Sequence, residues 1–122
     1  MLYYVFSYIC PMNNEFVQKW KSQVKKGTLA FILLNLLKDN EFYGYELIEQ
    51  VTRHTTLTIA EGTLYPLLNR LKDDELVTSK WVEQPSGIPR KYYTLTSTGE
   101  KTLAEMKIFW NELGASIQKI TK

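Results

Sequence analysis

The sequence predicts a mostly helical α+β domain, a winged helix-turn-helix followed by a C-terminal dimerisation helix. Three observations carry that fold class. Two short helical segments lie close together between residues 43 and 71. A β-rich segment follows at once and doubles back across a Pro- and Gly-containing turn at residues 84–90. A heptad stripe of apolar residues then occupies residues 103–120. A short helix, a turn, a second helix and a hairpin form a unit whose second helix can enter the major groove of DNA while the hairpin reaches the flanking backbone.

The elements follow in order. Residues 1–11 read as an N-terminal extension, either upstream residues from a misplaced start or an arm that packs on a partner subunit, and no function is assigned to them. Residues 12–96 make the winged domain and residues 97–122 the dimerisation helix. Asn13 or Asn14 can cap a first helix, with Phe16, Val17, Trp20 and Val24 near helical spacing. The apolar run from Leu29 to Leu37 suggests a central helix touched on several sides, ended by Asp39-Asn40. Gly27 is either a weak kink in it or the seam between two helices. Residues 43–51 read as a second helix with Leu47, Ile48 and Val51 inward, and a turn spans about Thr52 to Leu57. Thr58 and Glu61 have capping-box spacing for the third helix. Pro66 sits inside that helix and should bend it.

Leu76–Glu83 and Lys91–Leu95 are rich in β-branched and aromatic residues and pair as a hairpin. Strand alternation places Tyr93 and Leu95 on one face and Tyr92 and Thr94 on the other. Ser97 and Glu100 repeat the capping-box spacing at the last helix. Its apolar residues Leu103, Met106, Trp110, Leu113, Ile117 and Ile120 step by three and four, the pattern of a dimerisation seam.

Composition narrows the function classes. A chain of 122 residues with 44% hydrophobic and 23% charged residues is one globular domain, neither a disordered chain nor a disulfide-stapled miniprotein. The net charge of +2 is too near neutral to argue nucleic-acid binding by itself, so that case needs a local patch. Cys10, the single cysteine, has no internal partner, which fits a reducing, cytoplasmic setting. No stretch approaches the roughly 18 apolar residues of a membrane span. The lone His54 and lone Cys10 give no zinc spacing and no nucleophile pair, and no phosphate-cradling glycine loop appears. Asp73-Asp74-Glu75 reads as a solvated helix end. No catalytic residue, metal or cofactor is expected.

The third helix offers the first candidate site. Leu64, Leu67, Leu68 and Leu71 share one face and pack inward. Gly62, Thr63, Tyr65, Pro66, Asn69 and Arg70 are then left to solvent or DNA. Gly62 permits close backbone approach, and the helix N-terminus presents free N–H groups to a phosphate. Tyr65 is either a DNA contact or a half-buried packing residue; Asn69 is either a reader or plain surface. In the hairpin, Arg90 and Lys91 suit a phosphate clamp, with a solubilising turn as the alternative.

Four stretches together resemble the PadR family of bacterial transcriptional regulators: Lys26-Gly27-Thr28-Leu29, Tyr43-Gly44-Tyr45-Glu46-Leu47, the run from Glu61 to Leu71, and the run from Arg90 to Gly99. The single C-terminal helix is similar to the short subfamily. The resemblance implies a dimeric repressor on a pseudo-palindromic DNA operator, released by a small molecule. The resemblance implies a DNA-backbone contact for Lys25 and Lys26, with plain solvation of helix-surface lysines as the alternative. The resemblance also implies that Trp110 lines a central pore and stacks on a planar apolar ligand; a Trp simply buried against the partner helix is the alternative. Flexible Met106 would suit varied ligand shapes, and Phe109 and Trp20 can contribute to that pore. The alternative is a winged-helix protein-interaction module that does not bind specific DNA, favoured by the near-neutral charge.

Overall fold

The structure, a computed structural model, describes residues 2–122, with side chains from residue 14 onward. Among the described residues four helices and three strands follow in the order α1 (Leu2–Leu36), β1 (Phe42–Tyr43), α2 (Gly44–His54), α3 (Glu61–Asp73), β2 (Val77–Val82), β3 (Arg90–Leu95) and α4 (Ser97–Ile120). The fold class is the one the sequence predicts. The side-chain role of residues 1–11, as extension or arm, lies outside the described residues.

The apolar run of residues 29–37 supplies the centre of the core. Leu29, Leu33, Leu34 and Leu37 are buried against Leu47 and Val51 of α2 and the Leu64, Leu67, Leu68, Leu71 face of α3. Val77, Tyr93 and Leu103 close the remaining sides. Each fully enclosed leucine is worth about 1.5–3 kcal/mol relative to an exposed one, so these side chains fix how the two helices of the turn motif sit.

α1 is one helix. Neither Asn14 nor Gly27 begins a new one. A single glycine costs about 1 kcal/mol in a helix interior, and Lys25, Lys26, Leu29 and Ala30 around it are strong helix formers. The Thr28 hydroxyl also donates back to the Val24 carbonyl at 2.7 Å.

The helix-turn-helix is shifted relative to the sequence expectation. α2 continues to His54, and Thr55 closes it by donating from both its amide and its hydroxyl to the Val51 carbonyl, at 3.0 and 2.7 Å. Ile59 is drawn into the core, only 4% exposed, and Ala60 stays extended at φ −86°, ψ 156°. The helix therefore starts at Glu61, the turn is residues 55–60, and the expected Thr58–Glu61 capping box does not form. α3 runs through Pro66 uninterrupted, and the Gly62 carbonyl on its exposed side loses the helical donor that Pro66 lacks.

The cap of α4 also moves by one residue. Thr96, not Ser97, accepts the Gly99 amide at 2.9 Å. The same hydroxyl donates to the Glu75 carbonyl at 2.6 Å, and the Thr96 amide donates to Leu76 at 3.1 Å. These bonds clamp the start of α4 onto the α3–β2 corner, where Glu75 takes a left-handed φ of 62°.

The sheet order is β1-β3-β2. In the hairpin Val77 pairs with Leu95 and Val82 with Arg90, which puts Arg90 in the strand instead of the loop. Tyr93 is buried, as strand alternation requires of one face. β1 is an addition: Phe42 pairs with Tyr93 and Tyr43 with Tyr92. Tyr43, expected in the second helix, is instead the last strand residue before α2, its amide donating to Glu46 Oε1 at 3.2 Å.

Candidate functional site

Packing of the α3 leucines inward leaves its other face exposed, and a groove runs along each side of it. The first, about 490 Å³, lies between α1 and α3 and is lined by Lys26, Gly62, Thr63, Pro66 and Arg70 over a floor of Leu29 and Leu67. The second, about 790 Å³, lies between α3, the start of α2 and the hairpin, and brings together Tyr65, Asn69, Arg90 and Lys91. Eight of the nine candidate DNA contacts therefore line these two grooves. Half-buried Lys25 lines neither among the described residues.

Local geometry ties the start of α2 to α3. The Tyr65 ring crosses to Gly44, its hydroxyl occupying the space a side chain at position 44 would need. Tyr65 is still 38% exposed, so it packs and faces the groove at once. The Glu61 carboxylate stands beside the Tyr45 phenol. It accepts a hydrogen bond from the phenol and repels its ionised form, holding that phenol above its ordinary pKa. Tyr93 is also raised, mainly by burial and secondarily by Tyr65.

The charge pattern explains how a chain of net charge +2 can carry a cationic surface. The ion pairs fall elsewhere, Lys38 with Glu100 at 3.9 Å and Lys80 with Glu41 at 3.3 Å. Among the described residues Lys26, Arg70, Arg90 and Lys91 have no carboxylate within 4.0 Å. The hairpin cations rest on aromatic rings instead. The Arg90 guanidinium lies 4.5 Å from the Tyr43 centroid, and Tyr43 meets Tyr92 edge-on at 5.4 Å. Lys91 Nζ lies 5.7 Å from the Trp81 ring and 5.9 Å from the Tyr93 ring.

Sequence reading missed Tyr43, Tyr45, Trp81 and Ile88 as residues of this surface. Trp81 was within reach: strand period two puts it on the face of Val77 and Ser79, and it pairs directly with Lys91.

A separate apolar cavity of about 740 Å³ lies between α1 and α4. All four residues expected around a ligand, Trp20, Met106, Phe109 and Trp110, line it, joined by Val24, Phe31, Leu113 and Ile117. The Phe31 and Trp110 rings are 5.4 Å apart at 41°. Along α4 Trp110, Leu113, Ile117 and Ile120 are 41–77% exposed. Leu103 corrects the seam expectation. It is 2% exposed and packs inside the chain's own core, apart from the exposed residues further along the stripe. Met106 is half-buried at the edge of that core.

Among the described residues no helix is long and apolar enough to cross a membrane, and no cluster of three His, Cys, Asp or Glu residues is poised to hold a metal ion.

The sequence profile of the transcriptional regulator PadR-like family matches residues 33–105. A solved PadR-like transcription factor from Bacteroides fragilis is 42% identical, with a TM-score of 0.71 over 84% of this chain and 99% of that one. A PadR family transcriptional regulator from Eggerthella lenta is 32% identical, with a TM-score of 0.79 over 89% of this chain and 95% of that one. Transcriptional regulator Rv3488 of Mycobacterium tuberculosis is 30% identical over 95 residues, 78% of this chain and 87% of that protein.

Proposed function

We propose that this protein, which belongs to the PadR-like family of DNA-binding transcriptional regulators, is a homodimeric repressor that a planar apolar ligand releases from its operator. The observation that carries the reading is the apolar face shared by α1 and α4. Large side chains there, Trp20, Phe109, Trp110 and Ile117 among them, are about half exposed or more around a cavity of about 740 Å³. Soluble monomers rarely leave such a patch open, and a second copy covering it forms a two-fold interface. In this reading residues 12–96 form the winged domain and residues 97–122 the dimerisation helix. Relatives that the chain spans almost end to end support placing it in the short, single-helix group.

In the dimer two α3 helices meet successive major grooves about 34 Å apart on a pseudo-palindromic site. Gly62, Thr63, Tyr65 and Asn69 face base edges or nearby phosphates. Lys25, Lys26, Arg70, Arg90 and Lys91 neutralise the backbone, which fixes register without reading sequence. The ligand stacks on Trp110 in the α1–α4 cavity, with Trp20, Met106 and Phe109 around it. It weakens DNA binding by favouring a dimer whose reading heads no longer match that spacing; only a ligand with different affinity for the two arrangements can do so.

The test is a fluorescence-anisotropy titration of the protein against the duplex upstream of its own gene, with and without a planar aromatic dye. The proposal expects specific binding that falls steeply with salt and weakens when dye is added. Absence of specific binding at low salt overturns it. Charge reversal at Arg90 and Lys91 is expected to abolish DNA binding; a protein contact that survives the reversal, with no specific DNA binding, favours a protein-interaction module instead.

A further inference from the structure

The groove between α3 and the hairpin has one wall that the proposed function leaves unexplained. Trp81 is 67% exposed on β2, an unusual place for the largest apolar side chain unless something covers or uses it. It does not complete the core: the buried residues of its strand face end at Val77, with Ser79 half-buried between them. Its direct cross-strand partner is Lys91. The Lys91 ammonium lies within 6 Å of two ring centroids, Trp81 at 5.7 Å and Tyr93 at 5.9 Å. Such contacts hold a cation by the ring quadrupole and remain possible where no carboxylate competes.

We propose that Trp81 is a positioning residue for DNA binding: it holds the Lys91 ammonium over the α3–hairpin groove as a preformed site for one backbone phosphate. The inference rests on the DNA-binding reading above and adds to it the means by which one contact is set. A lysine loses rotamer freedom when it docks on a phosphate. The Trp81 and Tyr93 rings remove part of that freedom beforehand and direct the ammonium to the side on which Asn69 and Tyr65 of α3 lie. The occupant is the sugar-phosphate strand of duplex DNA. Charge complementarity picks it out, since the groove carries Arg90 and Lys91 against one carboxylate, Glu49. Trp81 itself offers the sugar edge an apolar surface.

The experiment compares Trp81→Ala, Trp81→Phe, Lys91→Gln and the double variant Trp81→Ala/Lys91→Gln with the unaltered protein. Binding to a short random-sequence duplex is followed from low to physiological salt, because a phosphate contact needs no particular sequence. Each single change, Trp81→Ala or Lys91→Gln, is expected to weaken binding by roughly three- to tenfold. Each is also expected to flatten the salt dependence, by about one counterion per wing for Lys91→Gln and by most of that for Trp81→Ala. The double variant is expected to lose little more than Lys91→Gln alone, and Trp81→Phe, which keeps a ring face, to retain most of the affinity. Thermal melting run in parallel is expected to be unchanged, as suits an exposed side chain. Additive losses in the double variant, or an unchanged salt slope for Trp81→Ala, overturn the proposal while leaving DNA binding intact. Failure of the unaltered protein to bind this duplex at low salt overturns the DNA-binding reading, and the role of Trp81 with it.

Discussion

The rings of Phe31 and Trp110 meet across the angle between α1 and α4, 5.4 Å apart and tilted by 41°. Together they stand between two cavities. The larger opens along α4, and a smaller one of about 490 Å³ reaches Thr55, Thr56 and Leu57 in the turn that leads to α3. A ligand beside Trp110 is therefore one aromatic layer away from the turn that positions the recognition helix. Trp110→Ala is expected to weaken binding of a planar aromatic dye about tenfold, since stacking and buried area are both lost. The fluorescence of the dye itself measures it. Equal dye affinity in the variant would place the ligand elsewhere.

Gly62 separates folding from binding. A Cβ built there meets nothing within 4 Å, so the fold itself does not need a glycine. Gly62→Ala is expected to leave urea stability unchanged or up to about 0.5–1 kcal/mol higher, because alanine is the better helix residue. DNA affinity is expected to fall severalfold, as the methyl group stands in the approach to the first turn of α3. Loss of stability together with affinity would assign Gly62 to the core instead.

Gly44→Ala is expected to act on the site through Tyr65. The added methyl must displace the Tyr65 ring, whose Cζ lies 2.7 Å from the built Cβ. A stability loss of about 1–3 kcal/mol is expected from overpacking, with weaker DNA binding alongside. Adding Tyr65→Phe is expected to recover part of the stability, because the hydroxyl is the closest atom. Chemical denaturation of the single and double variants checks this, and no recovery would mean that the strain lies elsewhere.

The order of the elements was legible because it rests on periodicity. The α3 leucine face and the burial of Tyr93 both follow from helix and strand spacing. The boundaries were less so, because tertiary contacts decided them. Ile59 entered the core and delayed α3, and Thr96 found two partners in the α3–β2 corner that Ser97 lacked. β1 was illegible for a related reason: Phe42 and Tyr43 become a strand only by pairing with Tyr93 and Tyr92, far along the chain. Leu103 continues the heptad stripe, yet packing, not spacing, sent it to the core. The candidate residues that the sequence named on α3 and in the basic pair of the hairpin line the grooves beside α3. Trp81 and Tyr45, which the sequence did not single out, line the groove between α3 and the hairpin because of their neighbours across β3 and α3.

Alkaline pH should expose the two raised phenols. Tyr45 and Tyr93 both hold their protons more tightly in the folded chain than the ordinary value of 10.0. Their stabilising share is complete below that value and is lost as pH rises through the higher folded values. The urea midpoint is therefore expected to drop as pH rises above about 10, and Tyr93→Phe to shrink the drop. Glu61→Gln is expected to return the Tyr45 titration, followed by phenolate absorbance, toward 10.0. A midpoint insensitive to pH across that range would contradict the burial of Tyr93.

Sedimentation velocity on the purified chain at micromolar concentration asks whether the α1–α4 face is covered by a second copy. One species at twice the chain's mass is expected, with Trp110→Glu or Ile117→Glu shifting it toward the single chain. A lone monomer at that concentration, unaffected by either change, would contradict a paired regulator.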